Sequence, residues 1–311
     1  MKKLLIATTA LVATAGMASA DITITGSANA GYYNELGNAD AVTATVSAIT
    51  HGDGVAGRAA VTATSAETFT ESGIYSNAGI VATMTGTTDG GITFSTSIDA
   101  EAGQEVDTGD FELDGAASGA FGFGNMTLSG GFGTLTFDNA GIDNLYDDDL
   151  TAADVKYSTT VGGLALTIAA DAQGAADGTS VSAGYTSGAM SFTALTSDTA
   201  DGTSASLAVS YVVSDALTVR ADTDQAAGAE SVQSIGLTTA LSGVSIVADT
   251  SNNSTWDVSL GYTVNGVALS YANDEADAWS ATASMALGGG ATAKAGINSE
   301  SSMYAGVSFA F

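Results

Sequence analysis

The residues in this chain able to do chemistry are few, and most of them are acids. One histidine occurs, His51 in "ITHGDGVAG", so a Ser-His-Asp relay or a histidine metal site would have to be built on it. No nucleophile motif stands beside it, and it reads as a solvated residue of a glycine-rich turn. "GAFGFG" at 119–124 has glycines but no strand-turn-helix setting, so it makes no phosphate cradle. Asp147, Asp148 and Asp149 are consecutive, with Asp143 and Asp154 nearby. Hard oxygens this close would suit Ca²⁺, and at the mouth of a water-filled passage they would concentrate cations. The plainer reading is a solvated loop. No other cofactor is suggested.

Bases are scarcer still. The chain has 6 Lys and Arg against 34 Asp and Glu, a formal net charge of −28. Beyond the first 20 residues only Arg58, Lys156, Arg220 and Lys294 remain. Each sits in an alternating run, and by parity all four point to the face opposite the apolar one. A base on a lipid-bathed face near the midplane costs roughly 2–4 kcal/mol, which alone would turn them inward. Bases facing an acidic loop would also set up a transverse field. So negative a chain excludes nucleic acid and anionic lipid surfaces as partners and favours cations.

The elements that must position these residues are strands. "MKKLLIATTALVATAGMASA" has Lys2 and Lys3, an apolar stretch from Leu4 to about Ala15, and Ala18-Ser19-Ala20. It reads as a cleaved signal peptide over 1–20, too short in its apolar part to span a bilayer. Residues 21–311 then form one domain outside the cytoplasm. Cysteine and proline are absent, which suits an oxidising compartment and strands without permissive edges. From residue 153 a hairpin repeats, its first run closing on Tyr157, Tyr185, Tyr211, Leu237, Tyr262 and Leu287. From Tyr185 these anchors recur every 25 or 26 residues, the length of two ten-residue strands, a tight turn and a modest loop.

That half supplies thirteen strands, and "DITITGSANAGYY" with two clear hairpins after it adds five, about 18 in all. The segment 41–66 is either a further barrel hairpin or part of a long first loop, so 16–20 is the range. Trp256, Val258, Leu260 and Tyr262 share one face, as do Leu207, Val209 and Tyr211; Thr, Ser, Gly, Ala and Asp fill the other. Too few charges lie within the strands for a wet outer face. The pattern predicts an all-β fold: a closed antiparallel transmembrane β-barrel with its apolar band in hydrocarbon. The ending "SSMYAGVSFAF" alternates likewise, and pairing it with the first strand would leave no edge.

"MTGTTDGGITFSTSIDAEAG", "LSGGFGTLTFDNAG", "LTAADVKYSTTVGGLALTIAADAQG" and "LGGGATAKAGINSESSMYAGVSFAF" together resemble the general diffusion porins of Gram-negative bacteria, most closely the Rhodobacter type. The likeness covers most of residues 76–311. It implies short periplasmic turns, longer acidic external loops and a homotrimer of 16-stranded barrels in the outer membrane. It also implies a third loop folded inward as a constriction, here 138–154, facing the lumen bases. Phe311, with Phe309 behind it, occupies the place of the terminal signal read by the outer-membrane assembly machinery. The expected function is passive diffusion of small hydrophilic solutes and ions with weak cation preference, without enzymatic activity. External acids would meet lipopolysaccharide through divalent cations. The rival reading is an acidic secreted surface-layer or adhesin-type soluble β-solenoid, which would show a shorter rung repeat and no terminal aromatic.

Overall fold

A strand with one greasy face and one small polar face needs both its backbone edges paired and its greasy face out of water. In the computed structural model the strands meet the first need by pairing into a ring. The structure describes residues 19–39, 42–46, 49–50, 56–58, 61–65, 68–69, 71–114, 117–146, 151–172, 178–199 and 202–311. Most of the expected leader, up to residue 18, lies outside them.

The ring opens with β1 (Ser19–Asn34), β2 (Gly73–Thr87) and β3 (Thr93–Gln104). Strand β4 comes in two stretches, Ala117–Phe123 and Met126–Gly130, both paired with β3. Then follow β5 (Gly133–Asp143), β6 (Thr151–Val161), β7 (Leu164–Ala170), β8 (Thr179–Ser187) and β9 (Met190–Thr199). Next are β10 (Gly202–Ser214), β11 (Leu217–Gln225), β12 (Val232–Leu241), β13 (Val244–Ser251) and β14 (Trp256–Val264). The last four are β15 (Val267–Asp274), β16 (Trp279–Gly288), β17 (Ala291–Asn298) and β18 (Met303–Ala310).

Each strand pairs antiparallel with the next, and β18 returns to β1 from Ser27↔Ala310 to Asn34↔Met303. The seam finishes with Gly26 N–H donating to the Phe311 carbonyl at 2.8 Å and Phe311 N–H to the Gly26 carbonyl at 3.0 Å. The sheet therefore has no free edge, and the count is 18. This corrects the 16 that the family likeness implied and excludes 20. Val42–Val46 pairs with Val61–Ser65, and Ile49–Thr50 with Ala56–Arg58, each in a two-stranded sheet apart from the barrel. The hairpin at 41–66 thus belongs to the first long loop. Arg58 must be corrected with it: parity assigns a lumen side only within a barrel strand, and Arg58 is on none.

The registers place the apolar sets together. Leu207, Val209 and Tyr211 lie opposite Ala194, Phe192 and Met190; Trp256, Val258, Leu260 and Tyr262 lie opposite Thr250, Ala248, Ile246 and Val244. "GAFGFG" turns out to be barrel wall: Phe121 is 79% exposed and Phe123 stands beside it on the outer face. Ile74 is 73% exposed on the same face. A continuous belt of such residues is tolerable only against acyl chains. At one end the strands meet in tight turns, such as Asn265-Gly266 with φ of 51° and 80°, the pair that suits the twist of a two-residue hairpin. At the other end run the long loops.

Candidate functional site

The inner face carries the chemistry, and two loops from the open end fold onto it. The second of these, between β3 and β4, is latched at its root. Asn29 and Asn77 face each other across β1 and β2. The Asn29 side-chain amide donates to Asn77 Oδ1 at 2.9 Å and to Glu105 Oε1 at 3.0 Å. The Asn77 amide donates to Glu101 Oε1 and Glu105 Oε2, both at 2.7 Å. Both amides thus spend their hydrogens on the latch.

Beyond Glu105, Val106–Asp107 pairs with Glu112–Leu113, and Glu112 pairs in turn with Gly37, which pairs with Phe69. The first and second loops so share a four-stranded sheet. Phe111 is only 3% exposed and packs among Leu36, Tyr75, Val106 and Tyr304, its ring 5.3 Å from that of Tyr304. Tyr75 and Tyr304 are inner-face residues of β2 and β18, so the apolar knot lies inside the barrel. Phe111 holds φ of 61°, a conformation a bulky side chain adopts only when packing enforces it. The Ser302 hydroxyl also donates to the Glu35 carbonyl, tying the last loop to the first. Asp114 on this loop has its pKa raised, first by burial and then by the nearby carboxylates of Asp107 and Glu101. Sequence reasoning missed this loop. The only hint is one phenylalanine among acids in "EVDTGDFELD".

The third loop leaves β5 where Ile142 packs with Ala153 and Ala169, with Leu145 against them. Asn144 donates to Ser197 Oγ at 2.7 Å, Leu145 N–H to Ser180 Oγ at 3.0 Å, and the Tyr146 hydroxyl to Asp224 at 2.7 Å. Ser180, Ser197 and Asp224 are inner-face positions of β8, β9 and β11. The chain therefore crosses β6 and β7 along the inner wall. Asp154 accepts the Ala172 N–H at 2.9 Å. Asp143 ends β5 opposite Thr151, on the exposed root of the loop. Asp147, Asp148 and Asp149 lie outside the described residues, and so does the Ca²⁺ reading attached to them. Among the described residues no group of three or more His, Cys, Asp or Glu is placed to hold a metal.

The bases differ in their company. Lys156 is on the inner face of β6, between Thr136 and Ala169. Arg220 on β11 brings Nε to 3.0 Å from Asp222 Oδ1 and one terminal nitrogen to 3.2 Å from Asp249 Oδ1. The first contact is an ion pair without hydrogen-bond alignment; the second is a hydrogen bond. Arg220, Gly236, Asp249, Asp257 and Asp274 form one row across β11 to β15. Three carboxylates on adjacent strands follow one guanidinium, so this wall is strongly negative. Lys294 on β17 is opposite Gly306 of β18 and forms no ion pair with any described residue. Phe309 and Phe311 stand on the outer face at the tight-turn end, both exposed.

The family model for Gram-negative porins matches residues 7–308. Among solved structures, three mutants of Rhodopseudomonas blastica porin are similar over 94% of this chain and 100% of their own. Their TM-scores are 0.52, 0.51 and 0.50 at 14%, 13% and 14% identity. At that identity the likeness speaks for the barrel alone. No curated protein matches the chain in sequence.

Proposed function

The chain belongs to the Gram-negative porin family, outer-membrane barrels through which small hydrophilic solutes diffuse, and from that premise we propose how its lumen sorts them. A rigid water-filled barrel sets the size limit, and the charged lining sets ion preference. The preference is for cations, and weak. What carries this reading is the inner row of Asp249, Asp257 and Asp274 beside a single Arg220 that already serves Asp222 and Asp249. The third loop, the part of 138–154 that lies between β5 and β6, acts as a constriction, supported by the contacts of Asn144, Leu145 and Tyr146 with Ser197, Ser180 and Asp224. Lys156 and Arg220 face that loop from the wall and give the passage a transverse field.

Reversal potentials in planar bilayers under a KCl gradient test the sign. A potential favouring cations is expected, and one favouring chloride would overturn the assignment. Neutralising Asp147, Asp148 and Asp149 together should lower the preference; an unchanged potential would remove those residues from the passage. In the membrane we infer a homotrimer whose external acids meet lipopolysaccharide phosphates through divalent cations, with Phe311 read during assembly. Loss of insertion on deleting Phe311 would test the last point, and cross-linking in intact outer membranes would test the trimer. Cleavage after Ala20 would leave Asp21 first in the ladder, opposite Thr85.

A further inference from the structure

Beside the barrel seam, opposite charges line one cavity without an ion pair between them among the described residues. A cavity of about 200 Å³ is lined by Lys294 from the wall and by Glu105, Asp107 and Asp114 from the second loop, with Asn29 and Ser308 between. Its floor is a register row: Lys294, Gly306, Gly31 and Tyr75 on β17, β18, β1 and β2. The two glycines are required by close approach. A Cβ on Gly306 would strike the Tyr75 hydroxyl, and one on Gly31 would meet Tyr75 Cε1 at 2.7 Å. Tyr75 therefore lies flat over the two glycines with its hydroxyl above Gly306, the strand neighbour of Lys294, and the cavity opens beside its ring.

The polar groups around this space are not equally engaged. Glu105 accepts the Asn29 and Asn77 amides, so it is committed to the latch. Asp107 Oδ1 accepts the Gly109 and Asp110 N–H groups at 2.7 and 3.3 Å, which fixes its carboxylate while leaving the second oxygen for another donor. Lys294 has no described ion partner. A bare cation would be attracted by the acids and repelled by the ammonium, and a simple anion the reverse. A solute carrying an ammonium and a carboxylate satisfies both sides at once. The cavity is smaller than the roughly 300–1,000 Å³ typical of sites for drug-sized ligands, so the occupant is small.

We propose that this cavity, between Lys294 and the carboxylates of Asp107 and Asp114, is a subsite for small zwitterions of the α-amino acid class, separate from the third loop and built by the second. It rests on the channel reading and adds a solute class to it. Oriented capture at a charged pair raises local concentration and entry rate. The pKa of Asp114 is raised first by burial and then by the neighbouring carboxylates of Asp107 and Glu101, which agrees with its place among the acids of this cavity.

The test compares osmotic swelling of liposomes containing the full-length protein in L-serine with swelling in glycerol and erythritol, which bracket it in size. The wild type should pass serine faster than either polyol. Lys294→Gln, and separately Asp107→Asn with Asp114→Asn, should lower the serine-to-erythritol ratio by about threefold or more, a loss of roughly one good charged contact. A ratio unchanged in both variants overturns the subsite. The unaltered protein gives a second readout that needs no mutation. Serine added to a KCl-bathed single channel should raise current noise, and erythritol at the same concentration should not; equal noise overturns the subsite. A protein with no single-channel current at all would instead overturn the channel reading, so the two failures are distinct.

Discussion

The second and third loops both turn into the lumen, but they are held there by different physics. The second is docked by a dry knot, Phe111 among Leu36, Tyr75, Val106 and Tyr304, and by two asparagine amides closing on Glu105. The third is docked chiefly by hydroxyl and carboxylate contacts to Ser180, Ser197 and Asp224, with one small apolar patch at Ile142. Apolar burial is not weakened by charge screening, whereas polar contacts in a wet passage compete with water and ions at little net gain. The difference makes the second loop a fixed partition and the third a softer one.

The sharpest way to break that contrast is Phe111→Ala. Removing a buried aromatic costs about 3–5 kcal/mol, and here the loss falls on loop docking because Phe111 lies outside the strand ladder. Single-channel conductance should rise and show long-lived substates, while heat-modifiable migration of the barrel stays as it was. Unchanged conductance would mean that the second loop does not narrow the passage.

Tyr146→Phe is the matching change in the third loop. It deletes a hydrogen bond to a carboxylate, worth about 1.5 kcal/mol at the low end for a half-exposed pair. Faster, smaller current fluctuations are expected, growing with salt, and none of the long substates of the first variant. Arg220→Gln reaches the wall beside the Asp224 anchor. Arg220 is about half exposed, so stability should move by less than about 1 kcal/mol. The reversal potential should nevertheless shift toward stronger cation preference, because Asp222 and Asp249 lose their counter-charge.

The smallest expected effect is a pH dependence of the second loop. Docking raises the pKa of Asp114, so the docked state binds its proton more tightly than the free loop does. That contribution is complete below the ordinary aspartate range and is lost as pH rises through the raised value. The groups facing it are Asp107 and Glu101, with Glu105 and Lys294 on the same cavity. As pH rises from the ordinary aspartate range through the raised value, open substates should become more frequent. In Asp114→Asn that slope should flatten; a slope as steep as the wild type's would assign it to another group.

Much of the barrel can be read from one strand at a time. The alternation in "WDVSLGYTV" places Trp256, Val258, Leu260 and Tyr262 on one face before any partner is known, and the hairpin spacing brings the strand count to about 18 with 41–66 left open. The seam followed from the closing run Met303 to Phe309, whose register with β1 has the pairing that alternation demanded. Arg58 shows the limit of the method: its surroundings alternate as a barrel strand would, yet its ladder partner is Ile49 in a loop. Local period cannot tell a wall hairpin from a loop hairpin, since both satisfy the same backbone.

Composition and period thus specified which residues face lipid and a strand count between 16 and 20, because each is a matter of neighbours at fixed short spacing. The inward course of the second loop, the meeting of Lys294 with Asp107 and Asp114, and the sharing of Arg220 between Asp222 and Asp249 came from the folded molecule. Each of these depends on residues brought together by the curvature of the closed sheet. Phe111 finds Tyr304, Tyr75 and Leu36 only when the ends of the chain have joined, and no spacing along the sequence records that distance.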